Sequence, residues 1–154
     1  MKNRRRLTRI TATMTLVVAA FLGGTATPAA AHDNRQAIYE GCGWSSGYTE
    51  LDRETIYNPA GALMGSVFLL WNGSKGQNCV VTHQFYSAGH GIPVKMVATL
   101  GIRSSGSGAI TYRTDTGNYG HFAAVKEYTT GQCVNFRGEI AGSVAGRNEW
   151  GNCG

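Results

Sequence analysis

Downstream of residue 31, no window of this chain keeps a helical 3.6-residue period for three turns without a glycine interrupting it. Short apolar runs alternate instead with breaks rich in glycine, asparagine and serine, and 22 of the 154 residues are glycine. Residues 64–71 include Val67, Phe68, Leu69, Leu70 and Trp71, a nearly continuous apolar run of the kind a buried strand carries. The break Asn72-Gly73-Ser74-Lys75-Gly76-Gln77 follows, and residues 79–86 resume with Val80, Val81, Thr82 and Phe85, which predicts a hairpin. Further strands are predicted over 94–102, 109–113, 122–128 and 133–140. The turn signals between them are Ser104-Ser105-Gly106-Ser107-Gly108, Asp115-Thr116-Gly117-Asn118 and Thr129-Thr130-Gly131-Gln132. Residues 32–38 are polar and read as a frayed end. The pattern predicts an all-β fold, a single small antiparallel sandwich or barrel of about six to eight strands.

The first 31 residues belong to a different class of sequence. Lys2, Arg4, Arg5, Arg6 and Arg9 make a cationic head, residues 10–22 an apolar segment too short to span a bilayer, and Ala29-Ala30-Ala31 a small-x-small cleavage pattern. Residues 1–31 therefore read as a secretory signal peptide and 32–154 as a single secreted β domain. The division changes the charge argument. The whole chain has 14 Lys and Arg against 9 Asp and Glu, a formal charge of +5. Five of the cations and none of the acids lie in the first 31 residues, so the remainder holds nine of each. A neutral domain with singly spaced cations lacks the surplus that binds phosphate backbones or anionic bilayers, so a nucleic-acid partner is not expected. No later apolar run is long enough for a membrane span.

All four cysteines, Cys42, Cys79, Cys133 and Cys153, fall in the secreted part. An even number in an exported chain predicts two disulfides. Spacings of 37, 54 and 20 residues contain no C-x-x-C knuckle, which argues against a zinc site. Of the three pairings, Cys42–Cys79 with Cys133–Cys153 joins sequence neighbours and closes two separate loops.

The motifs Gly41-Cys42-Gly43, Gly47-Tyr48, Gly65-Ser66-Val67-Phe68-Leu69-Leu70-Trp71-Asn72 and Lys75-Gly76-Gln77-Asn78-Cys79-Val80-Val81-Thr82 occur in this order. They are followed by Val94-Lys95-Met96, Asp115-Thr116-Gly117-Asn118-Tyr119, Gly131-Gln132-Cys133-Val134-Asn135-Phe136-Arg137-Gly138 and Asn152-Cys153-Gly154. In this order the chain resembles the spore-associated protein A family of actinomycete secreted proteins. The resemblance covers nearly all of the secreted part and includes the four cysteines; residues 50–60 and 83–92 depart from it. It implies a small exported all-β protein associated with a spore or aerial surface, and it transfers no catalytic residue.

The residues themselves suggest three chemistries. Trp44, Tyr48, Tyr112, Tyr119 and Trp150 are candidate ligand-binding residues, since flat aromatic faces stack on the apolar faces of sugar rings in a cell-wall or chitin-like polysaccharide. Core packing is the competing role for such side chains in a small β domain. His32, placed at a new amino terminus by cleavage after Ala31, would chelate copper with a second imidazole from His83, His90 or His121. A hydrolase needs a nucleophile with base and orienting group, or paired carboxylates. Ser87-Ala88-Gly89-His90 places a serine and a histidine close in sequence, which is not how a triad is assembled. The expectation is a non-catalytic surface protein, without cofactor or bound metal, whose partner is a cell-wall or spore-surface component.

Overall fold

The computed structural model describes residues 33–153. They form one helix, α1 (Asn34–Cys42), and eight strands: β1 (Thr49–Tyr57), β2 (Leu63–Asn72), β3 (Gln77–Gln84), β4 (Val94–Ser104), β5 (Ile110–Tyr119), β6 (Phe122–Tyr128), β7 (Gln132–Ile140) and β8 (Ser143–Gly151). Residues 1–31, read from the sequence as a signal peptide, and His32 lie outside the described residues.

The strands make two antiparallel four-stranded sheets, ordered β1-β2-β3-β6 and β5-β4-β7-β8. The expected all-β sandwich with two disulfides is the observed architecture. Cys42 pairs with Cys79 and Cys133 with Cys153, the two-loop pairing. β2 and β3 pair in register from Gly65–Gln84 to Asn72–Gln77, the predicted hairpin. Asn72 closes its turn, its Oδ1 accepting from Ser74 Oγ at 2.8 Å and from the Lys75 N–H at 3.2 Å.

Two apolar layers explain why residues 64–71 do not alternate. Val67 and Leu69 face inward with Ile56, Val80, Met96, Leu100, Phe136 and Ile140 in the core between the sheets. Phe68 and Leu70, on the other face of the same strand, pack with Val81 and Cys79 beneath Ala37, Ile38 and Cys42 of α1 and Trp44 just beyond it. A strand covered on both faces loses its period-two pattern.

The sheets approach closely at Gly138, where a Cβ would stand 2.5 Å from Thr82 Oγ1 and 2.6 Å from Val67 Cβ. There the Thr82 hydroxyl crosses the layers to donate to the Val97 carbonyl at 2.7 Å. Ion pairs join the sheets at both margins. Arg147 on β8 meets Asp52 on β1 at 2.7 Å, and Arg113 on β5 meets Glu127 on β6 at 2.8 Å.

Two expectations are corrected. The end read as frayed instead forms α1, whose N-cap Asp33 accepts from the Gln36 N–H at 2.8 Å and whose C-cap Gly43 donates to the Tyr39 carbonyl. Asp33-x-x-Gln36 is the N-terminal signature that marks it, and burial of Ala37, Ile38 and Cys42 against sheet one holds it. The turn expected at Asp115–Asn118 lies within β5. Asp115 spends its carboxylate on tertiary partners instead, accepting from the Tyr119 hydroxyl at 2.6 Å and the Ala124 N–H at 3.0 Å. The chain reverses at Gly120-His121.

Candidate functional site

The five aromatic candidates occupy three separate places. Trp44 is 3% exposed in the layer under α1, with Tyr48 packed on it at a ring separation of 6.4 Å. Tyr119 is half-buried against the inter-sheet core. The Asp115 carboxylate that accepts its hydroxyl raises its pKa above the ordinary tyrosine range, chiefly through that hydrogen bond and then through burial and charge.

Tyr112 and Trp150 share the outer face of the second sheet. On β4 the inward residues are Met96, Ala98, Leu100 and Ile102, so Gly101 and Arg103 face outward. Gly101 pairs with Tyr112 on one side and Asn135 on the other, and the Tyr112 ring lies across it. Tyr112 is 57% exposed. The β7–β8 register slips between Val134 and Phe136, so β8 bulges before Gly151, and the Asn135 amide donates to the Asn148 carbonyl there at 3.0 Å. Trp150 stands on this bulge under the Arg103 guanidinium, which lies 5.3 Å from its ring centre. An exposed tyrosine, a buried glycine covered by the Asn135 and Tyr112 side chains, and an arginine-covered indole thus adjoin on one face.

The acids do not pair with one another among the described contacts. Glu50 meets Arg53, Asp52 meets Arg147, Lys95 meets Glu139 and Arg113 meets Glu127. These are salt-bridged charges on strand margins and, for Lys95 with Glu139, across the two central strands of the second sheet, not a hydrolytic dyad.

The second convergence is of histidines. Near the end of β3 stands His83, 3% exposed, whose Nδ1 lies 2.9 Å from Asn34 Oδ1 at the start of α1. His90 sits in the loop between β3 and β4, and His121 in the β5–β6 turn. Backbone hydrogen bonds lock loop and turn together: Gln84 N–H donates to the His121 carbonyl at 2.9 Å and Gly91 N–H to the Gly120 carbonyl at 2.6 Å. His90 Nε2 and His121 Nδ1 are consequently 2.7 Å apart. The His83 ring stands edge-on to His90 at 5.7 Å. His121 also lines a cleft of about 380 Å³ with Glu40, Asp115 and Tyr119. Among the described residues, no three His, Cys, Asp or Glu side chains are arranged to hold a metal ion. Sequence reasoning named these histidines but had no signal that brought them together.

Spore-associated protein A of Streptomyces coelicolor is 36% identical to this chain over 141 residues, covering 90% of this chain and 79% of its own length. The chain belongs to the spore-associated protein A family. No protein-family model matches it. No solved structure matches it either. Within this family assignment, the two disulfides and the sandwich are the parts of the molecule that agree with an extracellular or spore-surface setting. No helix among the described residues is long and apolar enough to cross a membrane.

Proposed function

We propose that this chain is a structural or interaction protein of the spore or cell surface, exported by residues 1–31 and working as the single domain 32–154 without chemistry of its own. The carrying observation is the 36% identity to a spore-associated protein along 90% of the chain. Two disulfides in a domain of this size support it, because they persist in an oxidising compartment and stiffen a chain that must survive outside the cell. Fractionation with an antibody tests the proposal: the protein is expected in washes of intact spores, and recovery solely from cell-free medium would refute it.

A second reading has a specific observation in its favour. The exposed Tyr112 ring shares the outer face of the second sheet with the Arg103 guanidinium and Trp150, a stacking surface near a cationic donor, the combination that suits a polysaccharide chain. Retention on insoluble peptidoglycan or chitin, abolished by the double variant Tyr112→Ala, Trp150→Ala, is the expected outcome. Equal retention of variant and parent would remove this face from consideration.

A further inference from the structure

We propose that His90 and His121 form a binding site for a divalent transition-metal ion with square-planar preference, copper(II) above zinc(II). The hydrogen bonding of His90 carries the first part of the argument. Its Nδ1 lies 2.9 Å from the Gln84 carbonyl oxygen. A carbonyl only accepts, so the proton is on Nδ1 and the Nε2 lone pair is directed elsewhere. Metal-ligating imidazoles are oriented in this way, by donating the other ring N–H to a backbone carbonyl or carboxylate.

The second part is the position of His121. Its Nδ1 is 2.7 Å from His90 Nε2, and in the neutral pair it donates to that lone pair. A linear bond of this length between two imidazoles would hold the ring centres about 5 Å apart, because hydrogen bonds favour linear approach. The centres are 4.3 Å apart with the planes at 62°, so the rings are tilted off the line that joins the two nitrogens. The contact is therefore a bent hydrogen bond between two groups that are both strong metal ligands.

The nitrogen spacing selects the ion. With metal–nitrogen bonds of about 2.0–2.1 Å, two nitrogens 2.7 Å apart subtend about 80° at the metal. Opening by a few tenths of an ångström reaches the roughly 90° of adjacent square-planar positions, whereas a tetrahedral ion needs about 3.3 Å. Copper(II) also leads the stability order for nitrogen ligands. On loading, His121 Nδ1 gives up its proton to solvent or to its other ring nitrogen, so that its lone pair and that of His90 Nε2 both face the ion.

The backbone prepares this arrangement without metal. A Cβ at Gly120 would stand 2.9 Å from the Gly91 carbonyl oxygen, so the two segments touch only because glycine is there. Gly89 and Gly91 take φ of 87° and 89°, values an L side chain resists. The half-buried cleft beside His121 leaves a route for solvent and ion.

The test is copper(II) titration of residues 32–154 carrying His32→Ala, since an amino-terminal histidine chelates copper by itself. One equivalent is expected to bind, with an axial copper spectrum by electron paramagnetic resonance showing nitrogen coupling. Losing merely an outer hydrogen-bond partner of a ligand weakens metal sites about 10–100-fold, so His90→Gln and His121→Gln should each weaken binding by at least about tenfold. In the unsubstituted pair, copper should broaden the NMR signals of these two rings before any others, a readout that needs no variant to fold. Absence of binding in the His32→Ala chain, unchanged affinity in both glutamine variants, or zinc binding tighter than copper would each overturn the proposal.

Discussion

Removing the two disulfides separately should have unequal effects, although their loop lengths alone make them nearly equivalent. A chain-entropy treatment of the 37-residue Cys42–Cys79 separation gives about 3.8 kcal/mol at 25 °C. The same treatment of the 20-residue Cys133–Cys153 separation gives about 3.3 kcal/mol. Their surroundings differ far more than their loops. Cys42 and Cys79 are fully buried beneath α1, whereas Cys133 is nearly buried and Cys153 is exposed. Replacing Cys42 and Cys79 by alanine deletes two buried sulfurs, each comparable to a buried methylene at about 0.8 kcal/mol, and leaves a cavity as well. It also frees a nine-residue helix, which is too short to persist without docking. The double variant Cys42→Ala, Cys79→Ala should therefore lose about 5–6 kcal/mol, roughly 2 kcal/mol more than Cys133→Ala, Cys153→Ala. Guanidinium denaturation of residues 32–154 measures the difference, and hydrogen exchange of the α1 amides locates it. Equal losses, or α1 amides that keep their protection in the first variant, would refute the claim that this bridge fastens the helix to the sheet.

Gly138→Ala should destabilise by about 1–3 kcal/mol, because its methyl would meet Thr82 and Val67 of the opposite sheet. A denaturation midpoint equivalent to less than about 0.5 kcal/mol of change would show that the layers separate freely. The hydrogen bond from Arg113, and then the Tyr128 N–H, hold the Glu127 carboxyl below its ordinary range. Its folded value lies below its unfolded value, so its contribution is present above the unfolded pKa and disappears as pH falls through the folded one. The energy at stake is small because both side chains stand in solvent. Carboxyl NMR titration should show the Glu127 pKa rising in Arg113→Ala, and an unchanged value would assign the shift to the backbone alone.

How much of this was legible in the chain depends on what each segment is packed against. β2 and β3 announce themselves because apolar layers on both faces of β2 demand an unbroken run, and the intervening Asn72 writes its turn in local chemistry. β1 and β8 carry no such signal. Residues 49–57 bury only Ile56 fully, and residues 143–151 only Ser143, so tertiary pairing makes them strands. α1 is short enough that three buried positions suffice, too few to establish a period, and its capping residues were the remaining signal. Asp115-Thr116-Gly117-Asn118 has turn composition, but Asp115 is occupied by Tyr119 and Ala124, and the Tyr119 ring fills the space above Gly117. The convergence of His83, His90 and His121 depends on a strand end, a loop and a turn meeting across the fold, a contact that no local pattern encodes. The separation of Trp44 from Trp150 is likewise decided by which layer each aromatic enters.

The ion pairs at the two sandwich margins bear on how many copies could coexist on a crowded surface. Cross-β growth starts where a strand margin offers its backbone groups to another molecule. Here Asp52 with Arg147 occupies one margin and Arg113 with Glu127 the other, and register slips in the β1–β2 and β7–β8 pairs twist the first of them. Charge and irregular pleating at these positions penalise a docking strand. Addition of a strand from a second copy is accordingly disfavoured at both margins.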